Sequence, residues 1–183
     1  MKKILFLFLI VISLDVLAQP IYQATSSLIS FHAGTPVEDI DADNSKALSF
    51  LNITSGEITI SIPVKDFRFK RPLMQEHFNE NYLESAKYPK AEFKGMIHDI
   101  EKIDFTSGTT QEMRITGTLN LHGVSNEIIL RVTIDSSDKK IKGEAKFVIA
   151  LVDYKIDRPK ILWQKIAENI DVTSTFTYEP FKK

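Results

Sequence analysis

The chain has no cysteine. That absence excludes disulfides, thiol catalysis, thiolate metal sites and redox dithiols together. It also excludes a lipid anchor on a cysteine behind a leader. No basic surplus is present: 23 Lys and Arg stand against 24 Asp and Glu. Gripping a phosphate backbone takes clustered positive charge, so nucleic acid is not an expected partner. Past the first residues no apolar run is long enough to cross a bilayer, and stable membrane insertion is not expected. No serine sits in a G-x-S-x-G elbow. The four histidines are His32, His77, His98 and His122. None lies three or four residues from another, so no zinc motif exists. Carboxylates are plentiful, yet no spacing marks an acid/base pair. The chain reads as a non-enzyme with no cofactor, no metal and no catalytic residue. There is no internal repeat, low-complexity tract or linker.

The first eighteen residues read as a removable secretory signal. Lys2 and Lys3 form a basic start, Ile4 to Leu14 an apolar core, and Val16-Leu17-Ala18 a cleavage site. The leader takes two of the 23 basic and one of the 24 acidic residues, leaving 21 and 23. Residues 19–183 then form a single domain, long enough for one real core and slightly acidic. With no disulfide, packing alone must hold it. The expected location is the periplasm, with secretion as the lesser option. Asn52-Ile53-Thr54 is a glycosylation sequon that matters only in a eukaryotic secretory route.

After Gln19 the dominant period is two, the mark of half-buried strands. Eight strands are expected: Ala24–Ala33, Lys46–Ile53, Glu57–Val64, Lys90–His98, Gln111–Leu121, Ser125–Ile134, Lys140–Leu151 and Glu168–Tyr178. In Gln111–Leu121, Met113, Ile115, Gly117, Leu119 and Leu121 alternate with polar residues. Most links are short, such as Thr54-Ser55-Gly56 and His122-Gly123-Val124, and short links imply antiparallel neighbours. The expected fold is all-β, an eight-stranded antiparallel up-and-down barrel. A two-sheet sandwich is the alternative.

Two insertions interrupt the meander. Pro72–Leu83, between strands 3 and 4, reads as a helix with Pro72 in its first turn. Met74, Phe78 and Tyr82 share one face at four-residue spacing, with Leu73 beside them. Pro89 then forces the chain into the next strand. Arg158–Ala167, between strands 7 and 8, is a short helix or a loop and carries Trp163.

A barrel of eight strands is just wide enough to be filled by side chains or to hold one small ligand. The faces taken as inward carry small residues at Ala33, Ala91, Gly95, Gly117, Gly143, Ala145 and Ser174. Glycines can also mark the bends that close a sheet, but the alanines favour space. The other inward positions are apolar: Phe31, Ile60, Ile62, Phe93, Ile97, Ile115, Leu119, Phe147 and Leu151. Such a lining prefers hydrocarbon. At roughly 0.8 kcal/mol per buried methylene, about 20 buried carbons would gain on the order of 16 kcal/mol gross. No charged anchor is then required. A fully packed barrel serving as a structural or interaction protein is the rival. An enzyme acting on lipid at the mouth, through His77 or Glu76, is a remoter one.

Asp39-Ile40-Asp41-Ala42-Asp43-Asn44 resembles the start of a calcium loop. Asn44 stands where that loop needs glycine and Phe50 where it needs glutamate, so a solvated acidic connection is the better reading.

Two stretches carry a family resemblance. One is Met74-Gln75-Glu76-His77-Phe78, continuing through Tyr82-Leu83-Glu84-Ser85 to Lys87-Tyr88-Pro89-Lys90-Ala91-Glu92-Phe93. The other is Gly117-Thr118-Leu119-Asn120-Leu121-His122-Gly123-Val124-Ser125. Together they resemble the two signatures of the YceI-like family, in order and over nearly all of the mature chain. The resemblance implies a lipocalin-like, eight-stranded antiparallel barrel exported to the periplasm. It also implies that a polyisoprenoid, quinone-like or fatty acyl lipid is held in the barrel. By motif match it places Met74, His77, Phe78, Tyr88 and Phe93 near the pocket. The acidic Thr35–Asn44 loop and Asp153–Pro159 depart from the family pattern. The sequence leaves open which lipid is held, whether its head group is read, and whether two copies pair as a homodimer.

Overall fold

The computed structural model describes residues 21–36, 38–137, 139–158 and 166–181. The expected leader, most of the second insertion and Trp163 lie outside them. Ten strands form: β1 (Ile21–His32), β2 (Asp41–Asn44), β3 (Leu48–Asn52), β4 (Glu57–Pro63), β5 (Arg68–Phe69), β6 (Lys90–Ile97), β7 (Thr110–Leu121), β8 (Val124–Ser137), β9 (Lys140–Ala150) and β10 (Asn169–Pro180). All pairings are antiparallel, and β10 closes the ring on β1 from Tyr22↔Pro180 to His32↔Asp171.

The ring has eight positions because two of them are split. β2 pairs with the late half of β1, and β3 with its start. β4 pairs with β3, and β5 with β2. Thus β2 with β3, and β4 with β5, act as two bent barrel strands. Asn44 joins the bends. Fully buried, it donates from Nδ2 to the Pro63 carbonyl at 2.8 Å. Its Oδ1 accepts from the Lys46 backbone N–H at 2.8 Å. Neither β2 nor β5 is apparent from hydropathy. In β2 the inward residues are Ala42 and Asn44, and in β5 a two-residue pairing is flanked by charges.

The first insertion starts as expected and ends differently. Pro72–His77 is an α-helix, α1, with Pro72 in its first turn. Phe78–Tyr82 then widens into a π-helical turn, with the Leu83 N–H donating to the Phe78 carbonyl at 2.9 Å. The wider turn brings Leu83 to the same side as Phe78. The β7–β8 hairpin has a two-residue loop, His122 (φ 52°) and Gly123 (φ 73°). Two positive φ values in succession define a type I′ turn, which matches the twist of the strands it joins. Past β9, Leu151–Tyr154 forms a short 3₁₀ turn. No helix among the described residues is long and apolar enough to cross a membrane.

Candidate functional site: an apolar cavity in one half of the barrel

The alternation that builds the strands sends one face of each into the lumen. The two ends of that lumen differ. Beneath α1 lies a cavity of about 440 Å³, within the usual range for a ligand pocket. Its wall includes Phe31, Ile60, Ile62, Phe69, Leu119, Phe147, Ile149 and Val172. Met74, Phe78, Tyr82 and Leu83 come down from α1 and the turn after it. Phe31, Phe67, Phe69 and Phe78 form an aromatic cluster with centroid spacings of 5.0–5.8 Å. Phe31 and Phe78 stack, while the other pairs are tilted or edge-on, arrangements that ring quadrupoles favour. Leu73 and Arg71 line the cavity yet are exposed, so it reaches solvent on their side.

Polar groups in this lining are few: Glu38, Arg71, His77, Tyr82 and Ser174. Glu38 and Arg71 pair with each other at 2.8 Å at the rim. Burial raises the Tyr82 hydroxyl pKa, which keeps it neutral. The cavity therefore offers an apolar wall and a charged lip, suited to an apolar chain with one end towards water.

The opposite half is filled. Leu51, Ile115, Ile134 and Ile141 are almost completely buried there. They leave a void of about 40 Å³. Its floor is polar but satisfied. The Ser49 hydroxyl donates to the Thr59 carbonyl at 2.9 Å and accepts from Tyr178 at 2.7 Å. Deep burial holds the Tyr178 phenol neutral far above its usual range. Ile60, Phe93, Leu130, Ser174 and Phe176 border both spaces and form the partition.

The small inward residues divide in the same way. Ala33, Ala91 and Ser174 face the cavity. Gly95 and Gly117 pair directly across β6 and β7, but they do not make empty room. The Phe93 ring folds over them. A Cβ at Gly95 would sit 2.7 Å from that ring. One at Gly117 would sit 2.6 Å from it and 2.4 Å from the Lys94 carbonyl oxygen. These two glycines seat a side chain. Gly143 and Ala145 border the small void.

Of the site residues expected from sequence, Phe31, Ile60, Ile62, Met74, His77, Phe78, Phe93, Leu119, Phe147 and Leu151 line the large cavity. Three others lie elsewhere. Ile115 borders the small void, and Ile97 is packed core opposite it on β6. Both face inward, but alternation reports the face of a strand and not the height along the barrel. Tyr88 sits outside the lumen, edge-on to His122 at 4.7 Å and pressed against Gly123. It braces the β7–β8 turn. There His122 bonds the Glu84 carboxylate at 2.7 Å and the Tyr154 carbonyl at 3.1 Å, tying three loops together. Trp163 lies outside the described residues. Phe67, Phe69, Ile149 and Phe176 also line the large cavity and do not stand out in the sequence. For Phe67 and Phe69 the signal was the alternation Phe67-Arg68-Phe69-Lys70, hidden by its charges.

The acidic connection contributes a rim cluster. His32 Nδ1 lies 2.8 Å from Asp41 and 4.0 Å from Asp39; Asp39 is largely exposed, His32 and Asp41 a little under half. The hydrogen bond to Asp41 raises the His32 pKa, helped by the charges of Asp41, Asp39 and Asp171. Asn44, which would continue a calcium loop, instead turns inward to serve backbone.

A closed eight-stranded antiparallel sheet with an apolar cavity at one end defines a lipocalin-like barrel. The YceI-like domain model matches residues 23–178, and the chain belongs to that family. Solved structures share the fold at low identity. A polyisoprenoid binding domain from Saccharophagus degradans, implicated in plant cell wall breakdown, is 16% identical with a TM-score of 0.77, over 90% of this chain and 100% of that one. BcnA of Burkholderia cenocepacia is 13% identical with a TM-score of 0.70, over 82% and 95%. A YceI protein of Campylobacter jejuni is 15% identical with a TM-score of 0.55, over the full length of both chains. No curated protein matches this chain significantly.

Proposed function

We propose that this protein sequesters or carries a long-chain lipid, an isoprenoid or an acyl chain, with its tail in the cavity beneath α1. The observation that carries this reading is a space of about 440 Å³ walled almost wholly by hydrocarbon. Water is a poor filler for such a space, because a buried water needs two to four polar partners and this wall supplies few. A hydrocarbon chain needs none. The polyisoprenoid-binding designation of one structural neighbour is in keeping with the reading. The lining side chains act by packing, and no bond is made or broken.

Export to the periplasm is part of the proposal. Lys2, Lys3 and the apolar stretch from Ile4 to Leu14 support it. The test is to purify the protein from its periplasmic fraction without detergent, extract it with organic solvent and analyse the extract by mass spectrometry. One dominant lipid in near-stoichiometric amount is expected. An extract free of lipid, from protein that also fails to bind added fatty acids and prenyl alcohols, contradicts the proposal.

A further inference from the structure

We infer that the partition between the two halves is a length gauge: Phe93 forms the floor on which the tail of the ligand ends. This rests on the lipid-binding reading above and goes beyond it by naming what sets the chain length.

Three features of the structure carry it. The cavity ends on residues that also border the filled half, so Phe93 is shared between the two spaces. The Phe93 ring cannot easily swing away. It fits over Gly95 and Gly117, where even a Cβ would come within 2.7 Å of the ring. Ile60 and Leu119 flank it as direct cross-strand neighbours on β4 and β7. A seat built from two paired glycines and walled on both sides holds an aromatic ring in one place. Beyond it the space of about 40 Å³ is too small to continue a chain.

The volume then bounds the ligand. A water-sized group takes ~30 Å³ in a liquid, so about 440 Å³ houses on the order of 15 carbons. Longer chains must leave through the rim beside Leu73 and Arg71, where further methylenes meet water and add little. Affinity should therefore rise about fourfold per methylene up to the floor and then level off.

The experiment uses delipidated full-length mature protein and saturated fatty acids from octanoate to docosanoate, read by displacement of a fluorescent apolar probe. Wild type should show a steep rise and a break. Phe93→Leu keeps an apolar residue but opens the floor, and should move the break to longer chains. Ala91→Phe fills the cavity two residues above Phe93 on the same face, and should move it to shorter ones. Opposite shifts in the two variants establish the gauge. A rise with no break, or a break that neither variant moves, overturns the gauge while leaving the carrier intact. Displacement by no acid of any length, repeated with prenyl alcohols, overturns the carrier reading and the gauge with it. Should Phe93→Leu fail to fold, Ala91→Phe alone must still shorten the break or the gauge fails.

Discussion

The two halves of this barrel are built from the same strands, with the same alternation and nearly the same residue types. One half is hollow and the other full. Around the cavity the inward side chains are Ile62, Phe147 and Ile149, which meet space. In the far half they are Leu51, Ile134 and Ile141, which meet each other and are at most 1% exposed. Composition does not explain the difference. α1 and the turn after it cap the hollow half, reaching its wall through Phe78 and leaving space beneath. The filled half closes on itself through Tyr178, Ser49 and the partition. A lumen is a matter of which end is stoppered, as well as of how greasy its wall is.

The largest expected effect sharpens this contrast directly. Ile134→Ala, in the filled half, should cost about 2–5 kcal/mol in urea denaturation, because it opens a cavity in a packed region. Ile62→Ala, on the hollow side, should cost clearly less in lipid-free protein, since part of its surface already faces space. Equal losses would contradict the division. The glycines come next. Gly117→Ala places a Cβ 2.4 Å from the Lys94 carbonyl oxygen, which is backbone and yields poorly. A loss of about 1–3 kcal/mol is expected. Gly143→Ala meets nothing nearer than Val132 Cγ1 at 3.6 Å and should be close to neutral. Thermal melts of the two variants side by side decide it.

Ala145→Phe probes the boundary. Ala145 borders the small void rather than the cavity, so the added ring should destabilise by about 1–3 kcal/mol and leave lipid loading unchanged. Unchanged stability with reduced loading would mean that the hollow region extends deeper. The smallest effect is at the rim. The folded-state pKa of His32 lies above its ordinary value of about 6.5. Its contribution is therefore complete below about pH 6.5 and is lost as pH rises through the folded-state pKa. Asp41→Asn should flatten the stability difference between pH 6 and pH 8 slightly, since all partners are exposed. An unaltered pH profile would show that this contact contributes nothing.

Much of the fold was legible because period two is a local signal. β6 and β7 could be read residue by residue, and Pro72 announced α1. The bent strands were not legible. β2 buries Ala42 and Asn44, and a buried asparagine looks like a loop residue until the carbonyl it bonds, that of Pro63, is known. Phe69 in β5, and Phe67 just before it, are hidden among Lys65, Arg68, Lys70 and Arg71. In the cavity, the face of each strand was readable and the height was not. Hence Ile62 and Ile115 look alike in sequence and end in different halves. Gly95 and Gly117 suggested space, yet they accommodate Phe93, a contact set by ring direction and cross-strand register.

The claim that one half is hollow and the other full is tested most directly by methyl NMR of isoleucine-labelled, delipidated protein titrated with palmitate. Isoleucines mark both regions: Ile62, Ile149 and Ile170 line the cavity, whereas Ile58, Ile134 and Ile141 lie beyond the partition. Shifts and intermolecular contacts confined to the first group are expected. Contacts from the lipid to Ile134 or Ile141, or none to Ile62 and Ile149 at saturation, would contradict the account.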